Sequence, residues 1–159
     1  NKNDALKVVE YSKYPPIGNR GYSPFVPSSK YINNGGSWNQ KMNNDLSTGI
    51  NVEGNEAIAD IDNIIKLNHI DIIFVGLFDL SKALGIPGDV HNNKVTHKLK
   101  EVVDNAKARH ISVGTIATSL EHIKELLSFG VNFVVYMVDM NLISNSYLQI
   151  RNSFSDFTS

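Results

Sequence analysis

The chain contains no cysteine, which removes disulfides, thiolate metal sites and cysteine nucleophiles together and fits a reducing, cytoplasmic setting. Neither sign of charge is in excess: 15 Lys and Arg stand against 16 Asp and Glu, interspersed, for a net charge of −1. The basic face that nucleic acid or an anionic membrane would require is therefore missing. No apolar run approaches the roughly 20 residues of a spanning helix, and no signal-peptide pattern is found. The expected partners thus include neither nucleic acid nor membrane. What is present, 42% hydrophobic residues and 11 glycines in 159 positions, suffices for one domain with a core, covering 1–159. The opening "NKNDALKVVEYSKY" has no initiator methionine and starts inside a helical pattern, which reads as a fragment.

After an irregular first third, strand and helix patterns alternate. Leu6, Val8, Val9 and Tyr11 lie near helical spacing until "YPPIGNRG" forbids regular structure. Residues 22–48 are rich in Ser, Asn, Gly and Pro and read as a long irregular loop, a type that is usually functional or disordered. "GINVEG" is a short strand, and "NEAIADIDNIIKL" carries Ile58, Ile61, Ile64 and Ile65 on one helical face. "HIDIIFVG" is a strand buried on both faces. "NKVTHKLKEVVDNAKARH" is a helix, "ISVGTIA" a strand, and "SLEHIKELLSFG" a helix with Ser119 as N-cap and Gly130 just past its end. "VNFVVYMV" is a fourth strand, and "MNLISNSYLQIRNSF" a closing helix. Four successive βα units imply an α/β fold with a parallel sheet. Eight such units fill about 250 residues, the size of a (β/α)₈ TIM barrel, so this chain reads as half of one. An open doubly wound sheet would want a phosphate-binding glycine loop after its first strand, which "VEGNEA" does not supply.

Four stretches, "KYPPIGNRGYSPF" from Lys13, "INVEGNEAIADIDNI" from Ile50, "IDIIFVGLFDLSKALGIPG" from Ile70 and "VVYMVDMNLI" from Val134, resemble in order the signatures of the HpcH/HpaI-type class II pyruvate aldolases, 2-dehydro-3-deoxyglucarate aldolase among them. The resemblance covers the second half of those barrels, the first strands being absent. It implies reversible, metal-dependent cleavage of a 4-hydroxy-2-oxo acid to pyruvate and an aldehyde. It also implies that Glu53 and Asp79 ligate a divalent cation (Mg²⁺, Mn²⁺ or Co²⁺) and that Asn51 and the peptide N–H groups of Phe78 and Asp79 bind the substrate. At Asn51 the family usually has glutamine, one methylene longer, and at Leu77 commonly proline. The family's catalytic base, a histidine, and its charge-stabilising arginine belong to the first half, so no catalytic residue is expected in this chain. Similar enzymes are symmetric oligomers, commonly hexamers, and a homo-oligomer is expected.

Plainer roles compete with these. Glu53 can complement a helix dipole, and Asp79 can cap the helix begun by "LSKAL". Arg20 is either a surface or packing charge or a residue that orders the "YPPIGNRG" loop near the site. Asp139 reads as an N-cap. The loop aromatics Tyr22, Phe25, Tyr31 and Trp38 read as packing groups. His69, His91, His97, His110 and His122 share no ligand spacing and read as structural. Beside the aldolase, two further functions stay open: a citryl- or malyl-CoA lyase-type enzyme, and a non-catalytic half-barrel that serves as a binding or assembly module.

Overall fold

In the computed structural model, which describes residues 1–31 and 35–158, the elements run α1 (Lys2–Ser12), a 3₁₀ turn (Pro27–Ser29), α2 (Gly35–Asp45), β1 (Gly49–Val52), α3 (Asn55–Ala59), α4 (Ile61–Ile65), β2 (Ile72–Val75), α5 (Leu77–Ala83), α6 (Asn93–Lys107), β3 (Ser112–Ala117), α7 (Leu120–Ser128), β4 (Phe133–Tyr136) and α8 (Asp139–Thr158). The four strands form one parallel sheet in sequence order. This is the second half of a TIM barrel: consecutive parallel strands with helices crossing over one side.

The two sides of the sheet differ. On one, Ile50, Val52, Ile73, Val75, Val113 and Ala117 are buried against the helices, where they meet Ile64 and Ile65 of α4 and Val95, Leu99, Val102 and Val103 of α6. Each fully buried aliphatic side chain here is worth roughly 1.5–3 kcal/mol, so this layer carries most of the stability. On the other side, Asn51, Phe74, Gly114 and Phe133 stand opposite one another in register, and Phe74 meets Phe133 edge-to-face at 6.0 Å. Asn51 and Phe133 remain exposed there.

Local signals explain most boundaries. The Ser119 hydroxyl accepts the His122 N–H and starts α7, a cap worth about 1 kcal/mol, and Asn92 caps α6 in the same way. Gly130, just past α7 with φ +93°, takes the left-handed conformation that ends a helix. Asp139 is the first residue of α8 and accepts the N–H of Met140 at 2.8 Å. No helix among the described residues is long and apolar enough to cross a membrane.

Two expectations need correction. The single helix expected after β1 is broken at Asp60 (φ −101°, ψ 8°) into α3 and α4. The Asp60 backbone still donates to the Glu56 carbonyl and accepts from the Ile64 N–H, both at 3.1 Å, while its carboxylate accepts from the Lys2 N–H at 2.6 Å and from the Asn63 side chain at 2.7 Å. Residues 22–48 are not irregular throughout, since 35–45 form α2; residues 32–34 of that stretch lie outside the described residues. Glycine and asparagine are poor helix formers, so tertiary anchoring supplies the order. The Asn43 amide exchanges two hydrogen bonds with the backbone of Tyr14, at 2.7 and 2.9 Å. Buried Lys13 donates to the carbonyls of Asn43 and Leu46, at and just past the end of α2, where a cation offsets the helix dipole. Trp38 is buried from the same helix, whereas Phe25 and Tyr31 are exposed.

The Asn63 side chain and the Lys2 N–H, in that order, hold the Asp60 carboxyl below its ordinary value of 3.8. A depressed carboxyl stabilises the fold above the unfolded value and loses that contribution as pH falls through the folded one. Asp60→Asn should therefore lower the unfolding midpoint at neutral pH, and the gap from the parent should close as pH falls below 3.8; thermal melts across that range check it.

Candidate functional site

The C-terminal ends of parallel strands lie along one rim, and the register there is specific. Val52 stands opposite Val75, and the Gly76 N–H donates to the Val52 carbonyl at 3.2 Å. Glu53, the residue after β1, is thereby set beside Gly76, the residue after β2. The approach is close: a Cβ at Gly76 would lie 2.3 Å from Glu53 Oε2 and 2.9 Å from Glu53 Cβ. Only glycine leaves the room that the Glu53 side chain occupies. Asn51, two residues earlier on the same side of β1, donates to Glu53 Oε2 at 3.2 Å and holds the carboxylate from the other direction.

Asp79 comes to the same place by another route. Gly76 is the N-cap of α5, so Asp79 lies in the first helical turn and is not the cap itself. This corrects the plainer reading of Asp79 as an N-cap. Asp79 and Glu53 line one open cleft of about 420 Å³ with Gly54, Asn55, Lys82 and Ala83. Lys82 Nζ is 3.9 Å from Asp79 Oδ1, with both side chains largely exposed. Such a pair is worth at most about 1 kcal/mol and leaves the carboxylate free to take another cation. The N–H groups of Phe78 and Asp79 precede the first bond of α5, from Leu80 N–H to Gly76 O at 2.8 Å, and so remain available to an anion.

Arg20 lies at the end of α1, away from these carboxylates. Its guanidinium stacks 5.1 Å from the Tyr14 ring centre and donates to the Ser12 carbonyl at 3.4 Å, and Tyr22 packs edge-on against Tyr14 at 6.4 Å. These contacts join the "YPPIGNRG" loop to α1.

Two histidines read as structural are brought together by the fold. His91, from the turn before α6, lies with its ring centre 4.4 Å from that of His122 in the first turn of α7, and Glu125 stands one helical turn further on. One potential ligand atom from each of the three lies within 4.8 Å of the others. Spacing in the sequence misses this group because His91 lies 31 positions before His122. The one local signal is His122 and Glu125 at i and i+3 on a single helix face.

The half-barrel of parallel strands thus carries two carboxylates, Glu53 and Asp79, in one cleft at its C-terminal rim, where TIM barrels build their reaction sites. The chain belongs to the HpcH/HpaI aldolase/citrate lyase family, whose model matches residues 1–146. It is 30% identical over 142 residues to a 2-keto-3-deoxy-L-rhamnonate aldolase of Klebsiella pneumoniae, and 28% identical over 142 residues to proteins of that name from Escherichia coli. Each alignment covers 89% of this chain and 53% of the relative, so the chain spans about half the length of these proteins. Among solved structures, an HpcH/HpaI aldolase from Desulfitobacterium hafniense superposes with a TM-score of 0.88 at 22% identity, covering 97% of this chain and 60% of that one. Macrophomate synthase gives 0.75 at 18%, covering 99% and 57%. These likenesses establish the partial TIM barrel.

Because Gly76 makes room for Glu53, Gly76→Ala should displace that side chain while leaving the helix-facing core intact. A misplacement of about 1 Å costs on the order of 10²-fold in rate. Any reaction of the intact protein that depends on the Glu53 carboxylate should slow by about that factor, with little change in the thermal midpoint.

Proposed function

We propose that the protein is a metal-dependent aldolase that reversibly cleaves a 4-hydroxy-2-oxo acid to pyruvate and an aldehyde. The family and its named aldolase relatives support a carbon–carbon lyase. Their name favours a sugar-derived 2-oxo acid as substrate. The observation that carries the reading is the pair Glu53 and Asp79 lining one cleft, with Glu53 held between Gly76 and Asn51.

The donor set suits a hard divalent ion. Two carboxylates with open surroundings leave coordination positions for water and substrate oxygens, the usual shell of Mg²⁺ or Mn²⁺. Glu53 and Asp79 would hold the ion. When bound, such an ion supplies Lewis-acid stabilisation of negative charge on a keto oxygen. The backbone N–H groups of Phe78 and Asp79 bind the pyruvate carboxylate and fix the direction of the 2-oxo group. Asn51 orients Glu53 through its 3.2 Å hydrogen bond and, as the shorter counterpart of glutamine, reaches less far toward pyruvate. In cleavage the 4-hydroxyl loses its proton, C4 becomes the aldehyde carbonyl, and the C3–C4 electron pair passes to the pyruvate half, which takes up a proton at C3. The base for the hydroxyl proton comes from outside this chain, as does the arginine. Self-association is part of the reading, since Met140, Ile143, Tyr147 and Ile150 of α8 expose a wide apolar surface that a second copy would cover.

In the intact enzyme, Glu53→Ala and Asp79→Ala should each lower pyruvate release from a 4-hydroxy-2-oxo acid by at least about 10²–10³-fold, the cost of losing a preorganised charge-stabilising group. Chelation should abolish activity, and added Mg²⁺ or Mn²⁺ should restore it. Full, chelator-insensitive turnover in both variants would instead point to a lysine Schiff base. Asn51→Gln should leave the apparent affinity for pyruvate level or improve it, as a pyruvate titration would report.

A further inference from the structure

We propose that His91, His122 and Glu125 form a second cation site, separate from the rim carboxylates and selective for a borderline transition ion such as Zn²⁺. The site joins the turn that follows α5 to the first turns of α7, and it does not depend on the aldolase reading. Two imidazoles and one carboxylate are a nitrogen-rich donor set that favours Zn²⁺, Co²⁺ or Ni²⁺ over Mg²⁺. Three protein ligands leave a fourth position to water or another donor.

The geometry is built rather than incidental. The backbone around His91 is pinned on both sides: Val90 is buried in the core, and Asn92 caps α6 through the Lys94 N–H at 3.0 Å. His91 Nδ1 stands 3.4 Å from Glu125 Oε2, and both side chains are open enough for an ion to enter. His122 is 3% exposed, and its Nδ1 faces Thr118, 3.3 Å from the backbone N–H and 3.1 Å from the hydroxyl. The Thr118 N–H donates to Nδ1, which places the proton of the neutral ring on Nε2. A cation taking Nε2 would move that proton to Nδ1, where the Thr118 hydroxyl would accept it in place of the N–H bond. Ligand atoms spread over 4.8 Å need a modest inward movement to reach bond lengths of about 2.0–2.2 Å, and the exposed His91 side chain can supply it.

Titrating the intact Glu53→Ala/Asp79→Ala protein with Co²⁺ at neutral pH tests the site without interference from the rim. One equivalent should bind and give the intense visible absorption of a nitrogen-ligated, low-coordinate ion, and Zn²⁺ should displace it. His91→Ala and Glu125→Gln change exposed or half-exposed side chains, so both variants should fold with unchanged circular dichroism. Each should weaken binding at least about tenfold, the smaller loss expected even for an outer-shell partner. Absence of the band at about millimolar Co²⁺, or undiminished binding in His91→Ala, would overturn the site and leave the three residues as a packing contact between α7 and its neighbouring turn.

Discussion

The site depends on one constraint, the parallel register in which Val52 stands opposite Val75. Because both strands end at that step, the next residues, Glu53 and Gly76, become neighbours, and the following turn of α5 brings Asp79 around to the same cleft. A shift of one residue would turn the Asn51 and Glu53 side chains to the opposite side of the sheet. That shift is opposed by the core, because it would also expose Ile50, Val52, Ile73 and Val75, each worth roughly 1.5–3 kcal/mol when buried. The hydrophobic layer against α4 and α6 therefore fixes carboxylates that it never touches.

Much of this was legible in the sequence, for stated physical reasons. The strands "GINV", "IIFV" and "FVVY" are dense in β-branched and aromatic residues, and α6 and α7 show clean helical spacing between a polar cap and a lysine or glycine stop. The α/β class follows from their alternation. What stayed hidden is what depends on contacts distant in sequence. Helix α2 owes its order to Lys13 and Tyr14, about 30 positions away, and no local propensity reveals it. The break at Asp60 falls where its carboxylate accepts from the Lys2 N–H, 58 positions away. At the rim, the family resemblance named Glu53 and Asp79, while the fit of Glu53 over Gly76 needed the three-dimensional register.

The two clusters of ligating groups illustrate different chemistry on one scaffold. Glu53 and Asp79 offer hard oxygen donors in an open cleft. His91, His122 and Glu125 offer a nitrogen-rich set, with one buried ring oriented by Thr118. The first lies where βα loops of a TIM barrel build reaction sites. The second lies where the turn before α6 meets the first turns of α7.

The central claim is that Glu53 and Asp79 share one divalent ion that also meets pyruvate. Anomalous diffraction from crystals of the intact protein grown with Mn²⁺ and pyruvate tests it most directly. The account predicts a single strong peak at the rim, bonded to both carboxylates at about 2.0–2.6 Å and to the carboxylate and keto oxygens of pyruvate. A peak bonded to neither carboxylate, with pyruvate bound elsewhere, would contradict it.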